Sequence, residues 1–170
     1  MRSLYAHARV LDVNVERARG APGVAAALSG REVASWIMPF APRFEGERFW
    51  PTVWAPLAPE RVRFVGEPVA VLCAESAPQA FDACELVDVG YDPLPALSTI
   101  DSAVAPDAPL LHDDVPGNVL FHCHHTHGDV DGAFARAHLV LRETFSHGRC
   151  SASPLEGRGV MAAWDGDRLT

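Results

Sequence analysis

Apolar and polar positions change period several times along this chain, and each change marks an element. Ala6 to Val15 has Val10 and Leu11 at its centre and alternates at Val13 and Val15, which predicts a strand. Glu16-Arg17-Ala18-Arg19 reads as a helical turn that Gly20, Pro22 and Gly23 terminate. Val24 to Leu28 is a second short apolar strand, and Ser29-Gly30-Arg31-Glu32 opens a brief helix or turn. The clearest order lies between Val62 and Pro95. Val62-Arg63-Phe64-Val65 is a short β-rich run that Gly66-Glu67-Pro68 turns back. Val69 to Ala74 is continuously apolar, the pattern of a strand buried on both faces. Ser76 and Gln79 form a capping-box pair, and Ala77, Ala80, Phe81 and Cys84 then share one helical stripe. Val87, Val89 and Tyr91 alternate with Asp88 and Gly90 as a half-exposed strand, which Asp92-Pro93-Leu94-Pro95 ends.

The rest of the chain is less regular. Residues 37–59 carry Pro39, Pro42, Pro51, Pro56 and Pro59, and Phe40, Phe44, Phe49, Trp50 and Trp54 follow Trp36 through them. A stretch so rich in rings is an ordered loop rather than a Gly/Ser linker, and the favoured reading docks those rings on the chain's own core. The other reading has them cover a partner surface. A short helix is expected at Asp101 to Val104 and a strand at Asn118 to His127. Asp129 is an N-cap for Val130, Ala133, Phe134 and Ala137 at i, i+3, i+4, i+7. Leu139, Leu141 and Phe145 line one face of a strand; Gly159 to Trp164 forms another, and Asp165-Gly166 turns it into Arg168-Leu169-Thr170. That hairpin is cut short, so the pattern predicts a domain that continues. The segment from Ser146 onward is expected to fray, its strand edges being unpaired.

These segments, in this order, resemble a known family. The run FVGEPVAVLCAE, a short alanine-rich helix and then ELVDVGYDPLPA is similar to the α/β hammerhead domain of the large, molybdopterin-binding subunit of molybdenum hydroxylases. That group comprises the xanthine dehydrogenases, aldehyde oxidases and aerobic carbon monoxide dehydrogenases. SLYAHARVLDV at Ser3 to Val13 resembles the family's opening strand, and PLLHDDVPGNV with GDVDGAF the passage leaving the hammerhead. SPLEGRGV at Ser153 to Val160 resembles the start of the first molybdopterin-binding domain. Two departures are visible: the family has a further segment ahead of the position of Ser3, and often a proline where this chain has Gly157. The resemblance implies an α+β chain: a hammerhead domain over residues 1–127, followed at 128–170 by the first strands of a molybdopterin-binding domain.

Composition narrows the partners. A formal net charge of -8 at pH 7 argues against nucleic acid and anionic membrane, both of which reward clustered positive charge. All 14 basic residues counted as Lys+Arg are arginines, so a P-loop lysine is excluded, and no G-x-G-x-x-G occurs. Cys73, Cys84, Cys123 and Cys150 make no C-x-x-C pair, and Cys73 and Cys84 read as core filler. No apolar run approaches the length of a membrane span, so a cytoplasmic setting is expected.

Four groups of residues invite a chemical reading. His122-Cys123-His124-His125-Thr126-His127 places imidazoles and a thiol at i, i+2 spacing, which suits a transition metal, yet no second segment supplies a fourth ligand. A histidine-rich edge strand is the favoured reading, with an adventitious zinc or nickel site as the alternative. Glu156 and Arg158 pair a carboxylate with a guanidinium between glycines, and the structural reading of a domain-junction turn is preferred to a cofactor entrance. Cys150 has no patterned base to activate it. Glu67 caps its turn or pairs with Arg61 or Arg63. No catalytic, cofactor-binding or metal-ligating residue is therefore assigned.

By resemblance, the full subunit holds a molybdenum–molybdopterin cofactor and hydroxylates an aldehyde or N-heterocycle, or oxidises carbon monoxide. Its electrons leave through an iron–sulfur small subunit and an FAD-binding medium subunit. The residues that touch the cofactor lie later in the family, so this stretch is expected to be scaffold and inactive by itself. The alternative is a free-standing, non-catalytic partner-binding or assembly module.

Overall fold

A computed structural model describes residues 1–42, 48–50, 52–148, 150, 153–157 and 159–170. In chain order the elements are β1 (Ala8–Asn14), α1 (Glu16–Arg19), β2 (Val24–Ser29), α2 (Gly30–Ala34), β3 (Arg48–Phe49), β4 (Arg61–Val62), β5 (Ala70–Ala74), α3 (Ala77–Cys84) and β6 (Asp88–Pro93). There follow α4 (Ile100–Val104), a 3₁₀ turn at Pro116–Asn118, β7 (Phe121–His122), α5 (Val130–Arg136), β8 (Trp164–Asp165) and β9 (Arg168–Leu169). The chain divides into two compact units, Met1–His125 and Thr126–Thr170.

In the first unit β1 is central, with β4 and β6 antiparallel on its two sides. Its apolar residues alternate inward: Ala8 and Val10 are buried, and they meet Val62 of β4, Val69 and Ala58. A second cluster joins Val15, Ala18, Ala27, Ala70, Ala83 and Val87, and so packs α1 and α3 on the β2–β5 pair. Nearly every member of both clusters is Ala or Val. Such small side chains let backbones approach closely, and Gly30 is the extreme case, since a Cβ there would lie 2.4 Å from the Ala58 carbonyl oxygen. The N-terminus is tied in as well: Met1 donates its amino group to the Ala70 carbonyl at 2.9 Å, and Ser3 N–H reaches the Glu67 carbonyl at 2.9 Å.

Several expectations need correction. The strand read as buried on both faces is half-exposed: β5 pairs with β2 in a two-stranded sheet, its residues alternate, and Val71 and Cys73 face solvent. Cys73 is therefore not core filler, whereas Cys84 is partly buried. Helix α3 begins where predicted, but its apolar face is rotated by one position. Phe81 is 73% exposed while Ala83 is buried, because a flat alanine face packs closer to β2 and β5 than a phenyl ring allows. Ser76 makes no cap to backbone there and bonds the Gln79 side chain instead. The rings of residues 37–59 are docked only in part: Phe49 and Trp50 are half-buried, whereas Phe40 and Trp54, which pair by backbone, are exposed, as is Trp36 just before them, and Phe44 falls outside the described residues.

In the second unit, Asp129 caps α5 as expected, accepting from Gly132 N–H at 2.9 Å. The strand expected through Leu139, Leu141 and Phe145 is not formed, and all three side chains are exposed. The closing hairpin is present, with its turn at Gly166-Asp167, one residue later than read.

Candidate functional site

A concavity in the first unit starts from β4. Val62 turns inward and is fully buried, so its neighbours Arg61 and Arg63 must point the other way. Arg61 grips Asp113 with two parallel bonds, Nη1 to Oδ1 at 2.9 Å and Nη2 to Oδ2 at 3.2 Å, a bidentate pair that fixes both planes. Arg63 donates through Nε to the Leu111 carbonyl at 3.0 Å. Its backbone N–H is taken by the Glu67 carboxylate at 2.5 Å, closing the turn at Gly66, whose φ of 91° suits glycine. Glu67 thus caps its turn, one of the two roles expected of it. Residues 61–67 and 111–113 are stitched into two walls.

Between those walls is a cavity of about 700 Å³. Trp54, Phe64, Leu111 and Leu120 give it apolar sides, and Arg63 and His112 bring polar groups to it. The Trp54 indole is set in place by donating Nε1–H to Thr52 Oγ1 at 2.8 Å, and Thr52 is itself buried. Burial pulls the Arg63 guanidinium below its ordinary range, partly opposed by the charge of Glu67. Burial, followed by the positive charge of Arg63, pulls His112 down too, so it is neutral at physiological pH. The Arg61 hydrogen bonds hold the Asp113 carboxyl below its usual value. Both Asp113 oxygens are spent on Arg61, which leaves that carboxylate engaged in holding the wall. The chemistry of this set is recognition. Arg61, Arg63, His112 and Asp113 were not singled out as a site from sequence; the alternation Arg61-Val62-Arg63 was the one available sign, and it does not identify residues 111–113 as the opposing wall.

The positions that were singled out do not converge. Cys123 Sγ lies 2.7 Å from His125 Nε2 on an exposed segment, and His122 sits in β7, whose two residues make a strand shorter than the Asn118–His127 expected. No group of three His, Cys, Asp or Glu side chains able to hold a metal occurs among the described residues. Cys150 is exposed, with Sγ 3.7 Å from the Gly148 carbonyl oxygen. Glu156 is exposed and Arg158 lies outside the described residues. Among the described residues, the stretch around the start of the molybdopterin-domain resemblance builds no cradle for that cofactor: added Cβ atoms at Gly148, Gly157 and Gly159 meet nothing within 4 Å, and no described residue from Thr126 on is buried. The residues present do not fit the group.

Residues 111–170 match the family model described as molybdopterin cofactor-binding domain. The carbon monoxide dehydrogenase large chain of Afipia carboxidovorans is 35% identical over 97% of this chain and 21% of its own length. The nicotine 6-hydroxylase large subunit of Paenarthrobacter nicotinovorans is 31% identical over 99% of this chain and 21% of its own. The chain therefore spans about a fifth of these relatives. Among solved structures, quinoline 2-oxidoreductase from Pseudomonas putida 86 superposes with a TM-score of 0.68 at 37% identity, over 71% of this chain and 15% of that one. The α+β class and the hammerhead architecture are those expected. No helix among the described residues is long and apolar enough to cross a membrane. Residues 1–95, more than half of the sequence, match the family model for the a/b hammerhead domain of aldehyde oxidase and xanthine dehydrogenase, and the chain belongs to that family.

Proposed function

We propose that this chain supplies the N-terminal scaffold of a molybdenum hydroxylase large subunit. The carrying observation is the succession of a hammerhead match over residues 1–95 and a molybdopterin-domain match over 111–170, together with alignment to about a fifth of each long relative. The boundary is placed at residues 127 and 128, next to the division of the chain into two compact units at His125. In the complete subunit the activity is oxidation of an aldehyde, an N-heterocycle or carbon monoxide at a molybdenum–molybdopterin centre. The iron–sulfur and FAD-binding partners carry electrons away, and the assembly resides in the cytoplasm. Four free cysteines accord with a reducing compartment.

The scaffold reading makes two demands. Peptides such as Ala8–Asn14 and Asp88–Pro93 should co-purify with molybdenum in a large complex when taken from producing cells. The isolated 170-residue chain should carry no stoichiometric molybdenum and oxidise no purine or aldehyde with an artificial electron acceptor. Turnover by the isolated chain, or its peptides appearing only in a molybdenum-free species, overturns the assignment. A second reading, a free-standing partner-binding module, draws on the exposed rings of Trp36, Phe40 and Trp54. It predicts the second of those failures.

A further inference from the structure

The 61–67 and 111–113 walls have a consequence beyond scaffolding. Among the described residues lining the cavity, each arginine is matched to a carboxylate except Arg63. Arg9 lies 3.6 Å from Asp92, and Arg61 holds Asp113. Arg63 uses its Nε on a carbonyl, and among the described residues no carboxylate comes within 4.0 Å of its guanidinium nitrogens. Glu67 is near enough to be felt but spends its carboxylate on the Arg63 backbone N–H. A half-buried guanidinium whose terminal nitrogens hydrogen-bond no described residue keeps both of them available to a carboxylate supplied from outside, in a bidentate geometry.

The walls define what that anion is attached to. Trp54, Phe64, Leu111 and Leu120 offer apolar surface, and the Trp54 ring is pre-set by its bond to Thr52, so little ordering remains to be done on binding. A volume of about 700 Å³ falls within the usual span of small-molecule sites, roughly 300–1,000 Å³. Glu60, Glu67 and Asp113 at the rim penalise a doubly charged guest such as a phosphate monoester. One unmatched cation, an apolar chamber and an acidic rim select a single negative charge on an apolar body.

We propose that the cavity between residues 52–68 and 111–120 is a binding site for a small apolar monocarboxylate, with the carboxylate on the terminal nitrogens of Arg63 and the body against Trp54 and Phe64.

The test uses the full 170-residue chain titrated with sodium benzoate by calorimetry and tryptophan fluorescence, with neutral benzamide as the control. Benzoate should saturate with a dissociation constant of about a millimolar, the scale expected for so few atoms, and benzamide at least tenfold more weakly. R63Q should weaken benzoate about tenfold or more, with far-UV circular dichroism confirming the fold. L120W fills the chamber without altering a charge and should also lose binding, whereas R168Q in the closing hairpin should bind as the parent does. Equal binding of benzoate and benzamide, retention in R63Q, or no saturation by about 50 mM overturns the proposal. So does sedimentation showing a self-associated chain that benzoate cannot dissociate, since the apolar mouth is then an interface between copies.

Discussion

The strongest residue-level constraint is at Gly30. It begins α2, donates its N–H to the Val69 carbonyl at 3.0 Å, and lies so close to Ala58 that an added methyl would sit 2.4 Å from a backbone oxygen. Backbone cannot swing aside as a side-chain tip does, so G30A must separate α2 from the 58–59 segment. The expected cost is about 1–3 kcal/mol, the usual range for overpacking, read as a lower urea midpoint. G90A is the contrast. Its Cβ would meet Leu11 Cβ at an ordinary 3.6 Å within β6, and replacing a strand glycine there should be neutral or stabilising by about 0.5 kcal/mol. Equal destabilisation by the two substitutions would contradict the close approach. Neither difference was visible in the sequence, where both glycines read only as small residues. Phe81 failed for a related reason: periodicity names a stripe, but which of two adjacent stripes packs depends on how near the partner strand comes.

At the scale of elements, the junction of β2 and α2 was legible, since Ser29 followed by Glu32 is a short-range signal. The structure completes it as a capping box, with Glu32 N–H bonding Ser29 Oγ and the Glu32 carboxylate bonding Ser29 N–H at 2.8 Å. Arg19 extends the junction to α1, reaching Glu32 at 2.8 Å and the Ala27 carbonyl at 2.8 Å. S29A should cost about 0.5–2 kcal/mol, as for other lost caps. The Glu32 carboxyl is held below its ordinary 4.5, chiefly by the Ser29 backbone bond, then by the Ser29 hydroxyl and Arg19. A depressed acid contributes stability that is full above its unfolded value and lost as pH falls through its folded value. E32Q should therefore be less stable than the parent at neutral pH, and the gap should close as pH drops below 4.5. A gap that stays constant to about pH 3 would mean the carboxylate charge contributes nothing. Local signals of this kind located β1, β2, α1, α3, β6, α4 and α5 in the sequence. The cavity was hidden because its walls are some fifty residues apart in sequence, and Arg61 meets Asp113 through tertiary folding rather than through any spacing rule.

For the whole molecule, the two units differ in what can hold them together. Met1–His125 contains both apolar clusters and every buried residue among those described. In Thr126–Thr170, Phe145 is 91% exposed, Val160 96% and Met161 94%, so hydrophobic burial there contributes almost nothing. Local structure cannot make up the difference. Helix α5 has seven residues, well short of the roughly 12–15 an isolated helix needs, and the β8–β9 hairpin pairs two residues on each side. Two-stranded hairpins alone are marginal in water. Amide exchange on the 170-residue chain should consequently be fast at the described residues of 130–170, starting well before the Ser146 limit that unpaired edges alone suggested. The amides of Val69, Ala70 and Val10, each bonded to a carbonyl within the first unit, should exchange at least about a thousandfold more slowly, opening only with the unit as a whole. Deleting residues 126–170 should leave the urea midpoint and its slope nearly unchanged, because the surface exposed on unfolding belongs to the first unit. Protection of Leu139 to Phe145 equal to that of β5, or a midpoint that falls on truncation, would place stabilising contacts in the second unit and contradict this division.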